Sequence, residues 1–213
     1  MNSEPTDINE RVVMAALEFA TAGRWHDVAI PEIATAAGIS AEELHDLFPV
    51  KSAIIAAFVK KIDRQVVSQE FGFEKEDTPR DRLFEILMSR FDALDPHRAA
   101  VRTLSRDLKT DPMGMLCLSS TAMISANWIL ETANIPSSGP FGLLRANGLL
   151  AVWLGALHVW LTDDSPDLSR TMSALDRYLR RTERAAIELQ RIEELFLKFR
   201  ETKAANEGDK SRE

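Results

Sequence analysis

Side chains that could do covalent or metal chemistry do not gather in this sequence. The one cysteine, Cys117, has no partner for an internal disulfide, which suits a reducing compartment. His26, His45, His97 and His158 are scattered, and no Cys/His set falls at metal-ligand spacing. Each histidine reads better as a capping, surface or core residue than as a ligand. No Gly-rich phosphate loop, nucleophile elbow or pair of catalytic carboxylates stands out. Neither an enzyme nor a metal or cofactor site is expected.

What the spacing offers instead is recognition. Residues 30–48 read IPEIATAAGISAEELHDLF. Pro31 suits the first turn of a helix closed by Gly38. Ser40 caps a second, short helix over 41–47, and Ser40 with Glu43 makes an S-x-x-E capping box. Ile33, Ala34, Ala37, Ile39 and Leu44 would fill the angle between the two. That is the layout of a helix-turn-helix. Farther along, Met113, Met115, Met123, Trp128, Phe141, Trp153 and Trp160 could line an adaptable apolar pocket or pack as ordinary core. Arg145, Asn147 and His158 interrupt the most apolar helix and could supply polar contacts to a ligand or to a subunit interface.

The elements that must position these residues are all helices. Apolar residues recur at helical spacing almost everywhere and no strand pattern shows. Helices are expected over about 10–22, 31–37, 41–47, 51–69, 79–94, 97–109, 112–133, 141–162 and from Ser165-Pro166 to about 200. The fold class is all-α with about nine helices. Residues 1–55 form a three-helix head, linked by the 51–69 helix to a ligand-binding and dimerisation body over 56–200. Residues 201–213 are a disordered tail. The 141–162 stretch is broken by polar residues and reads as a buried helix, and the first ten residues lack the order of a signal peptide. A cytoplasmic protein is expected. Charges balance in the amphipathic C-terminal segment 189–203, which favours a solvated dimer helix over a membrane-surface one.

Net charge is −7 over 213 residues. Within 1–70, six bases (Arg11, Arg24, Lys51, Lys60, Lys61, Arg64) face eleven acids, a net of −5. The acidity therefore sits mainly on the head, which opposes binding to phosphate.

The head resembles the TetR family of regulators. AALEFA at 15–20, IATAAGIS at 33–40 and LFPVKSAI at 47–54 carry the resemblance, which covers 10–62 and includes the aromatic-proline-x-lysine junction Phe48-Pro49-Val50-Lys51. It implies a homodimer that binds operator DNA, with Ser40, Ala41, Glu42, Glu43 and His45 facing the major groove and Lys51 touching the backbone. Glu43 also has its capping role. The chain departs from the family pattern in placing Glu42, Glu43 and Asp46 on that helix. The family's body holds a small apolar ligand, and the residues expected here are Met113, Met123, Trp128, Asn147, Trp153, His158 and Trp160. A second, shorter resemblance, in WLTDDSPDLS at 160–169, is to TetR-fold lipid-binding accessory proteins of ubiquinone biosynthesis (the Coq series) that do not bind DNA. Two readings follow: a ligand-responsive DNA-binding regulator, or a lipid-binding accessory protein on the same fold.

Overall fold

The computed structural model describes residues 7–183 and 191. Within them are eight bounded α-helices and one 3-10 turn, and residues 169–183 are helical as well. No strand occurs among the described residues.

The head is three helices. In α1 (Ile8–Thr21) the Asp7 side chain caps the first turn, and Val12, Val13, Ala16, Leu17 and Ala20 are buried at helical spacing. α2 (Ile30–Ala37) begins with Pro31 in its first turn, and the Glu32 carboxylate accepts from the Ala29 amide at 2.8 Å. Gly38 at φ +67° ends it, and the Ile39 amide closes back on the Ala34 carbonyl at 3.1 Å. α3 (Ala41–Leu47) carries the Ser40–Glu43 capping box and buries Leu44 completely.

α4 (Lys51–Val67) leaves the head and runs into the body, burying Ile54, Ile55, Phe58, Ile62 and Val66. α5 (Pro79–Leu94) is capped by Thr78, whose hydroxyl accepts from the Asp81 amide. Pro96 sits in a 3-10 turn, Asp95–His97, before α6 (Arg98–Leu108). α7 (Pro112–Thr132) and α8 (Gly139–Trp160) form a hairpin. α4 packs on α5 and α7, while α1 packs on α2, α4 and α6. Head and body share one continuous cluster of buried side chains, from Val12 in α1 to Leu179.

Two boundaries differ from the sequence expectation for a physical reason. His97 belongs to the 3-10 turn, because the proline two residues into the linker tightens the chain before α6 can start. The last helix is not capped by Ser165-Pro166. Asp163 and Asp167 cap it instead, accepting from the amides of Thr171 (2.8 Å) and Ser169 (3.1 Å), with Leu168 turned to φ +53° between them. The 201–213 tail and most of the 189–203 segment lie outside the described residues.

α7 and α8 are each long and apolar enough to cross a membrane by length and composition. Each is buried on one face and exposed on the other, and Arg145, Asn147 and His158 interrupt α8.

Candidate nucleic-acid interface

The short helix α3 has one buried side, held by Leu44, and one outward side. Ala41, Glu42, His45 and Asp46 are all exposed on it, followed by Leu47 and by Val50 in the next turn. Ser40 and Glu43 belong to the cap. Ser40 Oγ accepts from the Glu43 amide at 3.1 Å, and Glu43 Oε2 accepts from the Ser40 amide at 2.9 Å. That amide and the hydroxyl hold the Glu43 carboxyl below its usual pKa, with Arg11 assisting. Glu43 is thus spent on the helix start, while Glu42 has no cation within ion-pair reach among the described residues. His45 Nδ1 lies 3.7 Å from Asp46 Oδ1.

Lys51 is placed differently from the backbone contact that resemblance implies. Its ammonium turns inward and donates to the carbonyls of Trp25 at 2.5 Å and Val28 at 2.9 Å, with that of His26 at 3.5 Å. It also stands 4.7 Å from the Trp25 ring centroid. Burial lowers its pKa against the opposing pull of Asp107 and Asp27. The 24–29 loop ends in carbonyls that no helix satisfies, and a lysine at the start of α4 is the nearest donor. Lys51 therefore ties the loop to α4 instead of facing out. Two other head cations are likewise engaged within the chain: Arg24 with Glu32 at 3.3 Å and Lys61 with Glu10 at 2.5 Å.

Beneath the head, α4 enters the body at a polar junction that the sequence reading missed. Arg90 on α5 is buried. Its Nη2 donates to Asp63 Oδ1 of α4 at 3.0 Å, and its Nη1 donates to Ser125 Oγ of α7 at 2.6 Å. Ser125 Oγ in turn donates to Asp63 Oδ1 at 2.9 Å. Burial raises the Asp63 pKa against the pull of Arg90 and Ser125. The available signal was an arginine inside the Leu87–Phe91–Leu94 stripe of α5, a register where a charge must find a buried partner.

The residues expected to line a ligand pocket divide into two groups. Trp153 and Trp160 face in: Phe91 stacks on both, at 4.6 and 5.6 Å between centroids, and Arg90 and Arg98 close the ends of the stack. Met113 (67% exposed), Trp128 (56%), Asn147 and His158 face out, and Met123 is half-buried. Among the described residues the two groups do not meet around one enclosed cavity. A small apolar void of about 10 Å³ lies elsewhere, under Trp25, Phe58 and Leu104 where α1, α4 and α6 meet, with room for about one water.

The 160–169 stretch is a joint between helices. Arg98, Arg102 and Arg170 donate to the carbonyls of Asp163, Leu161 and Thr162 at the end of α8. The buried Asp163 carboxylate accepts from the amides and hydroxyls of Ser165 and Thr171. Burial would raise its pKa, but those four donors outweigh it and hold the group well below the usual carboxylate range.

Comparison with known proteins places this architecture. No protein-family model matches the chain, and no curated protein matches it by sequence. Solved structures do match. A TetR transcriptional regulator from Nitrosomonas europaea superposes with a TM-score of 0.63 at 21% identity, over 81% of this chain and 95% of that one. One from Rhodococcus sp. RHA1 gives 0.60 at 22% identity, over 83% and 96%. A TetR-family regulator from Streptomyces coelicolor gives 0.55 at 19% identity, over 89% and 87%. The chain has the all-helical fold of TetR-type regulators.

Proposed function

We propose that this protein is a DNA-binding transcriptional regulator of TetR type, a cytoplasmic homodimer and not an enzyme. The observation that carries the reading is the α2–turn–α3 unit, with the outer side of α3 bare and the head mounted on a helix, α4, that enters the body. A second helix held at an angle with its far side exposed is what insertion into the major groove requires. The homodimer packs through α8 and the helix that follows it, a body left with Leu143, Leu144 and Leu154 in solvent. The ligand-responsive part of the reading places a small apolar molecule against the outward α7 residues Met113 and Trp128, a site that a second copy would close.

A specific observation favours the second reading, an accessory protein that binds lipid and not DNA. The outer side of α3 is acidic, and Lys51, Arg24 and Lys61 are turned to uses within the chain. Selection on a random double-stranded DNA library at low salt separates the two, with light scattering as the control for assembly. Enrichment of an inverted repeat by a dimeric protein is the expected result. Intact dimers that enrich nothing move the assignment to the accessory protein, and a monomer at micromolar concentration removes the dimer.

A further inference from the structure

The exposed side of α3 carries an unusual chemistry for a helix that reads DNA, and that chemistry restricts what it can read. Resting on the DNA-binding reading above, we propose that Glu42 is the specificity-determining residue of the head and accepts a hydrogen bond from the N4 amino group of a cytosine in each half of the operator.

Position selects Glu42 first. The N-terminal residues of a recognition helix are the ones that reach base edges. Here these are Ala41, Glu42 and Glu43, and Glu43 is tied back to the Ser40 amide at 2.9 Å. Ala41 carries a single methyl group and lets the helix start come close. Asp46 lies one turn farther along, beside His45 at 3.7 Å. Glu42 is thus the long polar side chain of the first turn whose carboxylate is uncommitted among the described residues.

Chemistry then selects the base. An ionised carboxylate can accept but cannot donate. Guanine presents two acceptors in the major groove, N7 and O6, and repels it; thymine presents an acceptor and a methyl group. Adenine has the N6 donor, but its N7 acceptor sits alongside and a carboxylate has nothing to offer it. Cytosine presents the N4 donor without an adjacent acceptor on the same base. Nor is the carboxylate diverted into structure. Glu42 neither caps α3 nor packs in the core, so its replacement leaves the fold in place.

The test is random-site selection with the full-length protein in three forms: unmodified, Glu42→Gln and Glu42→Ala. Circular dichroism and light scattering confirm that each is folded and dimeric. The unmodified protein should enrich an inverted repeat with one cytosine per half-site. A glutamine can accept from N6 and donate to N7, so Glu42→Gln should convert that position to adenine. Glu42→Ala should leave it unspecified and lower affinity for the cytosine site by about tenfold. A repeat whose base preferences are the same in all three forms overturns the proposal and leaves the DNA-binding reading standing. Uniformly tighter binding by both variants, with no base exchanged, also overturns it, since Glu42 would then only repel phosphate. No enrichment by any form removes the DNA-binding reading and this inference together.

Discussion

Head and body solve opposite problems with their polar and apolar atoms. The head buries Leu17, Ile33, Leu44 and Ile54 and uses its charged groups close to the surface, for capping and for holding loops. The body buries Arg90, Asp163 and Trp160 and half-buries Asp63 and Trp153, yet leaves Met113, Leu116, Ile124, Trp128, Leu143, Leu144 and Leu154 more than half exposed. The head exposes fewer and less bare apolar side chains, Ile8, Met14, Leu47 and Val50, each less than half exposed. A unit with charges inside and a run of apolar side chains outside offers a face on which the proposed second copy would pack. The contrast also says where mutations should hurt: polar changes should be expensive in the body and cheap in the head.

The largest expected effect tests the buried charge directly. Arg90→Ala leaves Asp63 in the interior without its cation and leaves Ser125 without a donor. The loss should be about 3–5 kcal/mol of unfolding free energy, read from urea denaturation at fixed protein concentration. Replacing the pair by apolar residues, Asp63→Leu with Arg90→Met, should recover most of that loss. A cost near that of an exposed ion pair, below about 1 kcal/mol, would erase the contrast between the two regions.

A smaller effect, with a pH signature, is expected at the joint after α8. Asp163→Ala removes the acceptor for Ser165 and for the buried Thr171, and should cost about 2–3 kcal/mol at neutral pH. The sign of the pH dependence follows from the depressed folded pKa. The stabilisation is fully present above the unfolded aspartate value of about 3.9 and drains away as pH falls below it. The unmodified protein and the variant should therefore differ most at neutral pH, with a gap that starts to narrow below about pH 4, measured as thermal midpoints from pH 7 down to pH 3. A gap that stays constant across that range would mean that Asp163 acts by packing and not by charge.

These sites mark where the sequence was legible. Helix order, the Pro31 start of α2 and the Ser40–Glu43 capping box of α3 follow from local rules, and the structure has them at or within a few residues of the expected places. The exposure of α3 was readable because six exposed residues and one buried leucine lie within a single short helix. The Asp63–Arg90–Ser125 junction was not, because its members come from three helices and are 27 to 62 positions apart. Trp153 and Trp128 show the same limit. Side-chain type says that a tryptophan belongs in an apolar place, but packing of α8 on α5 sends one inward while α7 holds the other out. Lys51 is the clearest case: its position in the head suggests a phosphate contact, while the carbonyls that claim it lie 23 to 26 residues earlier.

Lys51 also supplies the smallest effect, and the one that most sharpens the account of the head. Each phosphate neutralised by a cation adds about 0.9 to the slope of log affinity against log salt concentration. A lysine on phosphate would lose about that much slope on replacement. Here the ammonium is enclosed by the Trp25 and Val28 carbonyls and the Trp25 ring, and half-buried. Lys51→Met should lower the thermal midpoint, since three carbonyls lose their donor, but leave the salt slope of DNA binding unchanged. Asp46→Lys is the matched opposite. It adds a cation to the exposed side of α3, should leave stability within about 0.5 kcal/mol, and should steepen the slope by up to about 0.9 while tightening binding to every sequence alike. Titrations of both variants against one duplex at several salt concentrations read all three slopes. A slope that falls by about one in Lys51→Met would place this ammonium on phosphate in the complex and would require the 24–29 loop to release it when DNA binds.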